Sequence, residues 1–275
     1  MSHVPPKIGP GGFRKGEAIE QSIKMTRRIL QLLLGACVGW CASSIFAEPP
    51  AQTNSTNSRV TEVDLRPQFS RWQLPPKKQG PRNTCSVMTM AGAMEYSLSR
   101  KFNQGLMLSA EYLNWACNQV IHNSSQDRGQ FFHDLLRGYQ RFGICADSEM
   151  PYAKKFLPNY RPSAQATNHA LVIRSYGLRA QWIKAYDGTK GVSDQQLDAI
   201  KATLRKGWPV CAGSFHSVLL VGFTEDSAFE GGGGFYFRDS GAGNREIMSF
   251  KEAKARLCDV LWFDVEDQKS DSPKM

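Results

Sequence analysis

Cys85 is the strongest candidate for nucleophilic chemistry in this chain, because the pattern of an amphipathic helix begins directly after it. Apolar residues recur with the period of one buried helix face, at Val87, Ala91, Met94 and Leu98. The positive end of the helix dipole favours a thiolate over a thiol, and the thiolate is the form that attacks a carbonyl. The pattern therefore predicts a reactive cysteine, with a small buried cysteine at a helix start as the alternative interpretation.

His216 and Asp239 are the candidates for the groups that a thiol nucleophile needs beside it. His216 stands just before the apolar run 218–223, which is typical of a buried strand. A glycine-rich turn at 231–234 leads into a second strand at 235–237, and Asp239 follows that strand. If the strands pair, Asp239 lies near His216. A cysteine, then a base, then a group that orients the base is the set that acyl transfer requires.

The ordered set of segments resembles the papain-like cysteine peptidases, in particular the bacterial branch of that family. The resemblance covers about 200 residues, from Asp64 to Asp264. In chain order the matching segments are Gln79-Gly80 with Cys85 six residues after Gln79, Leu108-Ser109, Gly143-Ile144, Pro151-Tyr152, Pro209-Val210, His216 with 218–223, and Asp239-Ser240.

The resemblance implies a fold and a set of roles. The fold is α+β with two lobes, a helical lobe followed by an antiparallel β-barrel-like lobe, and an active-site cleft lies between them. Cys85 is then the nucleophile, His216 the general base and acid, and Asp239 the group that orients His216. Gln79 donates its side-chain amide to the oxyanion beside the backbone N–H of Cys85. No cofactor and no metal are expected.

Four positions depart from the family's pattern. Arg82 stands where a disulfide cysteine is common, three residues before the nucleophile, and Ser86 stands where a tryptophan usually follows it. Gly241 follows Ser240 where the family has a shielding tryptophan. The orienting residue is an aspartate rather than the usual asparagine, and its charge favours imidazolium and raises the histidine pKa.

The other histidines are weaker candidates for the base. His169 precedes an apolar run but lies only 84 residues after Cys85, and we interpret it as the start of a strand. His122 and His133 fall in or beside helical stretches, where surface or packing roles are commoner. The segment 240–243 is too short for a nucleotide-binding loop.

The remaining cysteines show no C-x-x-C spacing, which argues against a structural zinc site. Besides Cys85, four cysteines lie beyond residue 47: Cys117, Cys145, Cys211 and Cys258. An even number of cysteines in an oxidising compartment favours disulfides. Bridges within each lobe, Cys117–Cys145 and Cys211–Cys258, are the favoured pairing. The interpretation that all four are buried and reduced is slightly favoured over any bridge, because Cys211 lies in the pattern of a core strand.

The amino-terminal residues 1–47 are typical of a polar leader followed by a secretory signal peptide. Two arginines, Arg27 and Arg28, precede an apolar stretch that runs from residue 29 to 46 and ends at Ala47. Met25 is a candidate for the natural start. Lipidation at Cys37 is the second possibility and an uncleaved membrane anchor the third. The protein is thus expected to be exported, periplasmic or secreted.

Charge and composition divide the rest of the chain. Removal of residues 1–47 takes away six basic and two acidic side chains, so the net charge of +9 falls to +5. No basic stripe remains that would favour a nucleic-acid partner. Residues 48–63 are predicted to be a flexible linker, 64–265 the peptidase domain and 266–275 a polar tail, with the helical lobe ending at about 162.

Periodicity locates the elements. Helices are predicted from Ser109 to Val120, over 127–142 and from Ser193 to Lys206, the last with a Ser193/Gln196 capping box. Strands are predicted at 170–173, 181–183, 210–212, 218–223, 235–237 and 260–265.

The sequence as a whole predicts an exported cysteine peptidase or amidase that acts on peptides or proteins through a thioester on Cys85. One alternative is a catalytically silent papain-like domain that binds peptides or a cell-envelope partner. A second is an acyl transferase that passes the thioester to an amine. The membrane is involved only through the signal or a lipid anchor, and the oligomeric state is left open.

Overall fold

The structure is a computed structural model, and it describes residues 61–127 and 129–265. The predicted leader, signal peptide and polar tail lie outside the described residues, as does Cys37 and nearly all of the predicted linker. Within the described part of the chain, no helix has the length and apolar character needed to cross a membrane.

The described residues form seven α-helices and seven strands. The helices are α1 Arg66–Arg71, α2 Cys85–Phe102, α3 Ala110–Val120, α4 Phe132–Phe142, α5 Ala164–Arg174, α6 Asp194–Arg205 and α7 Phe250–Arg256, with a 3₁₀ turn at Asp147–Glu149. The strands are β1 Glu62–Asp64, β2 Leu178–Lys184, β3 Val210–Gly213, β4 Val218–Thr224, β5 Gly234–Arg238, β6 Ile247–Ser249 and β7 Asp259–Val265. The expected combination of helices and an antiparallel sheet is confirmed.

All seven strands belong to one antiparallel sheet. Six run in the order β2-β7-β3-β4-β5-β6, and β1 pairs with the far half of β4. The sheet is open, because β2 and β6 lie at its two ends and do not pair with each other. The expected antiparallel lobe is therefore present, with a sheet that is not closed into a barrel. Helices cover both faces of this sheet, so its apolar surface is buried without closure.

The two faces of the sheet follow the alternation of its strands. On β4, Leu219 and Val221 belong to the apolar cluster that surrounds α2. Val218 and Leu220 belong to a second cluster, which includes residues of α6 and α7. Successive side chains of a strand point to opposite faces, so one short run supplies both cores. The long helix α2 is thereby fixed against the strands that follow the candidate histidine.

Sequence patterns located most of the larger elements. The helix at 110–120 has its predicted cap, since the Ser109 hydroxyl accepts from the N–H of Tyr112 at 2.9 Å. The capping box of α6 forms between Ser193 and Gln196. The helix predicted over 127–142 begins instead at Phe132, because the preceding residues form a loop in which Gly129 has a φ of +71°.

The predicted strand at 170–173 is wrong, because these residues form the end of α5. Ser163 caps this helix by accepting from the N–H of Ala166 at 3.1 Å. Only Ala166 and Ala170 of α5 are buried, whereas Val172 is half exposed. The small alanine side chains let α5 pack closely against the end of α4. The approach is so close that a side chain at Gly143 would collide with the carbonyl oxygen of Ala170. His169 is consequently a helix residue and not the start of a strand.

Candidate active site

Cys85 is the first residue of α2, as predicted from the periodicity that follows it. The residue before it, Thr84, is buried, and its hydroxyl shares a hydrogen bond of 2.6 Å with the hydroxyl of Tyr152. The first N–H groups of a helix have no acceptor within the helix. The backbone at Cys85 therefore offers both a favourable dipole for a thiolate and an N–H that can donate to a nearby anion.

His216 lies in the four-residue connection between β3 and β4. The hydroxyl of Ser214 holds this turn, since it donates to the carbonyl of His216 at 2.7 Å and accepts from its N–H at 3.2 Å. Strand β4 starts at Val218, so the imidazole is fixed at the start of a buried strand. The next N–H along the chain, from Ser217, donates to the sulfur of Cys85.

Asp239 follows β5 directly, and the hairpin prediction that brings it to His216 is confirmed. Strands β4 and β5 pair with Leu219 opposite Arg238. Nε2 of His216 lies 2.6 Å from Oδ1 of Asp239, and that oxygen also accepts from the N–H of Gly241 at 2.7 Å. Because Nε2 is engaged by the carboxylate, Nδ1 is the ring nitrogen left for the thiol of Cys85.

Cys85 and His216 shift each other's pKa. Burial alone would raise the pKa of the Cys85 thiol, but the hydrogen bond with His216 and the N–H groups of Ser217 and Ser86 bring it below its usual value. The hydrogen bond with Cys85 is the main cause that raises the pKa of His216 to about 9, with burial opposing and Asp239 adding to the rise. Both shifts favour a thiolate beside an imidazolium.

Gln79 connects the loop before Cys85 with the segment that follows Asp239. Its side-chain oxygen accepts from the hydroxyl of Ser240 at 2.8 Å, and its backbone N–H donates to the carbonyl of Ser240 at 2.9 Å. Its amide nitrogen donates to the carbonyl of Arg82 at 2.7 Å. A primary amide has two N–H donors, so this contact leaves one N–H for another acceptor.

Arg82 forms a buried ionic cluster under the loop that leads to Cys85, and sequence reasoning missed it. Its guanidinium lies 2.5 Å from a carboxylate oxygen of Glu111 and 2.7 Å from one of Asp127, and all three side chains are at most 6% exposed. It also donates to the carbonyl of Ala153 at 2.8 Å and stacks on the ring of Tyr152. Burial would lower the pKa of Arg82, but the two carboxylates raise it above its ordinary value.

The cluster links segments that are far apart in sequence. Glu111 lies in the first turn of α3 and Asp127 in the loop before α4, so the ionic contacts join both to the segment before α2. This is the position at which the sequence analysis noted a missing disulfide cysteine. A buried carboxylate such as Glu111 requires a partner, but its burial is known only from the structure, so no signal in the sequence pointed to the cluster.

The other two departures have different surroundings. Ser86 is 3% exposed, and its hydroxyl has no hydrogen-bond partner among the described residues. Gly241 lies against the histidine, since a Cβ there would be 3.6 Å from the imidazole and 3.2 Å from Oδ1 of Asp239. The backbone of Gly241 therefore occupies the space beside the imidazole.

The five cysteines in the described part of the chain are free thiols. The candidate bridges Cys117–Cys145 and Cys211–Cys258 are thus not formed, and the four thiols are reduced, as the alternative interpretation of the sequence had it. Cys117 packs in the cluster around α2, whereas Cys145 packs in a separate cluster near α5. Cys211 lies inside the sheet, with its sulfur 3.8 Å from the carbonyl oxygen of Thr89, and Cys258, directly before β7, is partly exposed.

The alternative histidines are not part of the site. The imidazole of His169 contacts the carboxylate of Glu149, and His133 lies 3.5 Å from a carboxylate oxygen of Asp134. His122 lines a cavity beside α3 with Trp115. Over residues 61–127 and 129–265, no group of three or more His, Cys, Asp or Glu side chains is arranged to hold a metal ion.

Comparison with known proteins gives a result at the level of the fold. No family model matches this sequence, and no curated protein matches it. Among solved structures, xylellain, a cysteine protease from Xylella fastidiosa, superposes with a TM-score of 0.59 at 18% sequence identity, over 81% of this chain and 92% of that one.

Two cysteine proteases from eukaryotes also match. The proform of Amb a 11, a ragweed pollen allergen, gives a TM-score of 0.56 at 16% identity, over 78% of this chain and 69% of that one. Digestive procathepsin L 3 of Tenebrio molitor gives a TM-score of 0.52 at 14% identity, over 77% of this chain and 72% of that one. The open antiparallel sheet, the long helix beginning at Cys85 and these superpositions together show that the chain has the fold of the papain-like cysteine proteases.

Proposed function

We propose that this protein is an exported cysteine peptidase or amidase that hydrolyses peptide or amide bonds through a thioester on Cys85. One observation carries the proposal: the thiol of Cys85 contacts His216 while the far nitrogen of His216 is held by Asp239 at 2.6 Å. This is the arrangement in which a histidine activates a thiol and is itself fixed by a third group.

In the acylation step, the Cys85 thiolate attacks the carbonyl carbon of the scissile amide and the electron pair moves to the carbonyl oxygen. The backbone N–H of Cys85 and the second amide N–H of Gln79 donate to that oxyanion. The C–N bond then breaks as the imidazolium of His216 gives its Nδ1 proton to the departing nitrogen. The products of this half are a free amine and a thioester.

In the second step, neutral His216 takes a proton from water as the water oxygen attacks the thioester carbonyl. The C–S bond breaks, the carboxylic acid leaves, and the thiolate–imidazolium pair is restored. Asp239 keeps the ring in one orientation throughout and stabilises its positive charge. No cofactor enters either step.

The coupled pKa shifts define a pH window for this chemistry. The reactive pair exists above the lowered pKa of Cys85 and below the pKa of His216, about 9. Activity should therefore rise as Cys85 loses its proton and fall above about pH 9, where His216 becomes neutral.

Thiol labelling and cleavage of a peptide mixture test the proposal together. The wild-type protein should react with one equivalent of an epoxide inhibitor of cysteine peptidases at pH ~6, well below the pKa of a free thiol, roughly 8.5. Cys85→Ala should lose both labelling and cleavage while its unfolding transition stays unchanged. His216→Ala should lose cleavage almost as completely, and His169→Ala should retain it. Cleavage by Cys85→Ala at the wild-type rate would refute the mechanism.

Export is a separate part of the proposal, supported by the sequence of residues 1–47. Mass spectrometry of the protein recovered outside the cytoplasm should give an amino terminus at residue 48. A chain that retains residues 25–47 would instead favour an anchor, and a lipid on Cys37 would favour the lipoprotein alternative.

A further inference from the structure

A cavity of about 380 Å³ lies beside the histidine, and its lining includes His216 and Asp239 but neither Cys85 nor Gln79. We propose that it binds the leaving half of the substrate, and that it selects an apolar side chain followed by a carboxylate. This inference rests on the proposed function, since it assigns a substrate class to that same site.

The chemistry of the first step assigns the cavity to the leaving half. The acyl half of the substrate remains attached to Cys85, and its oxygen stays beside Gln79. The departing nitrogen receives its proton from His216, so the chain attached to that nitrogen must extend past the imidazole. A cavity lined by the imidazole without the sulfur is therefore the one that this chain enters.

The floor of the cavity is apolar. Val218, Phe237 and Met248 come from the consecutive strands β4, β5 and β6, and each is less than 8% exposed. Phe215, directly before the histidine, lines the same cavity with its side chain completely exposed, at 106% of the reference area. A substrate side chain seated on the floor would cover part of Phe215, and burial of apolar surface favours such binding.

The rim of the cavity is basic. Lys190, Arg245 and Arg256 line it. The acidic residues that line it are Glu252 and Asp239, and Asp239 is paired with the imidazole. Glu252 accepts hydrogen bonds of 2.9 Å from both Arg245 and Arg256. Three cations therefore face one remaining carboxylate.

The excess positive charge at the rim favours an anion on the bound chain. A carboxylate just beyond the apolar side chain can come from an acidic residue or from the carboxyl terminus of a peptide. The two sources have the same charge but differ in whether the enzyme acts inside a chain or near its end.

Four peptides with one common acyl half separate these features. Their leaving halves are Leu-Glu-amide, Leu-Gln-amide, leucine with a free carboxylate, and leucine amide. We expect kcat/KM to be about 5-fold higher for a carboxylate peptide whose charge reaches the rim than for its uncharged counterpart. A difference of this size is typical of partly exposed charge pairs. The counterpart of Leu-Glu-amide is Leu-Gln-amide, and that of free leucine is leucine amide. An advantage for Leu-Glu-amide alone assigns the rim to an acidic side chain, and an advantage for free leucine alone assigns it to the carboxyl terminus. The preference should shrink in 0.5 M salt, because exposed charges are screened.

Changes of charge at the rim provide the variant test. Lys190→Glu and, separately, Arg256→Gln should reduce the ratio of kcat/KM for each carboxylate peptide to kcat/KM for its amide counterpart. Lys206→Glu alters the net charge by the same amount as Lys190→Glu, at an exposed lysine outside the cavity, and should keep the wild-type preference. Phe215→Ser should raise KM for leucine more than for alanine in the leaving position.

The outcomes separate this inference from the proposed function. Equal kcat/KM for all four peptides, or a preference that survives in Lys190→Glu and Arg256→Gln, overturns the substrate class while the peptidase stands. Absence of cleavage together with absence of Cys85 labelling overturns the peptidase and this inference with it.

Discussion

The two halves of the candidate site are supported by opposite kinds of interaction. Beneath Cys85, a buried guanidinium joins two carboxylates and two chain segments through Arg82, Glu111 and Asp127. Beneath His216 and Asp239, the support is a pair of antiparallel strands whose inner residues are apolar. One half depends on charge pairing and the other on packing.

The difference matters because buried charges and buried methyl groups fail in different ways. An ionic cluster gains little net stability from being intact, but it is severely destabilised when one member is removed and the others are left unpaired. An apolar strand loses stability in proportion to the volume removed and relaxes around the loss. We therefore expect the cysteine half to be the more sensitive to a single substitution.

The largest effect is expected from Arg82→Met. It leaves Glu111 and Asp127 buried without a cation, and the free energy of unfolding should fall by about 3–5 kcal/mol. Epoxide labelling of Cys85 should slow as well, because the loop that carries Gln79 loses its support. Urea denaturation and labelling rates measure the two effects.

A triple variant is the control for Arg82. Adding Glu111→Gln and Asp127→Asn to Arg82→Met removes the unpaired charges and should recover part of the stability. If Arg82→Met alone costs less than about 1 kcal/mol, the cluster is equivalent to a surface pair and the comparison fails.

Leu220→Ala is the matching test on the histidine half. Leu220 is fully buried on β4 opposite Val210 and Phe237, and its truncation should cost about 3 kcal/mol. Labelling of Cys85 should keep nearly its wild-type rate under conditions where the variant is folded. A labelling defect as large as that of Arg82→Met would mean that both halves position the thiol equally.

Asp239→Asn should alter the pH profile rather than the fold. Removing the charge disfavours imidazolium, so the pKa of His216 falls from about 9 and the alkaline limb moves to lower pH. Asp239→Ala should lose more activity, because the ring also loses its acceptor. Unchanged pH profiles of kcat/KM in both variants would reduce Asp239 to a turn residue.

The smallest effect is expected from Ser86→Ala. This hydroxyl is buried without a partner, so its removal should leave stability unchanged or raise it by up to about 1 kcal/mol. Ser97→Ala on the same helix is the matched control. The Ser97 hydroxyl lies 3.0 Å from the carbonyls of Ala93 and Phe263, and its loss should cost about 1 kcal/mol in thermal or urea unfolding. Equal destabilisation by both changes would show that the Ser86 hydroxyl has a partner.

The sequence predicted the residues at the boundaries of long periodic elements. Cys85, His216 and Asp239 each stand where a buried helix or strand begins or ends, so local patterns located them. The pairing of β4 with β5 followed from the glycine-rich turn that precedes the second strand. Their roles in catalysis stay predictions until the variants are measured.

The remaining features depend on contacts that no local pattern records. The partners of Arg82 lie 29 and 45 residues away, and nothing in their spacing links them. The run at 170–173 has the composition of a strand, yet tertiary packing of Ala166 and Ala170 keeps it helical. Strands β1 and β6 have three residues each, too few for alternation to be recognised.

The pairing of β1 with β4 has a consequence for the timing of folding. Val63 lies opposite Phe223, so the first strand of the described chain meets its partner only after about 160 further residues have been synthesised. His216 also lies far beyond Cys85 in the chain, so it emerges from the ribosome much later than the cysteine. A nascent chain that ends before residue 216 thus carries Cys85 as an ordinary thiol, without the imidazole that lowers its pKa. The proposed reactivity of Cys85 would therefore be acquired only after His216 has been synthesised.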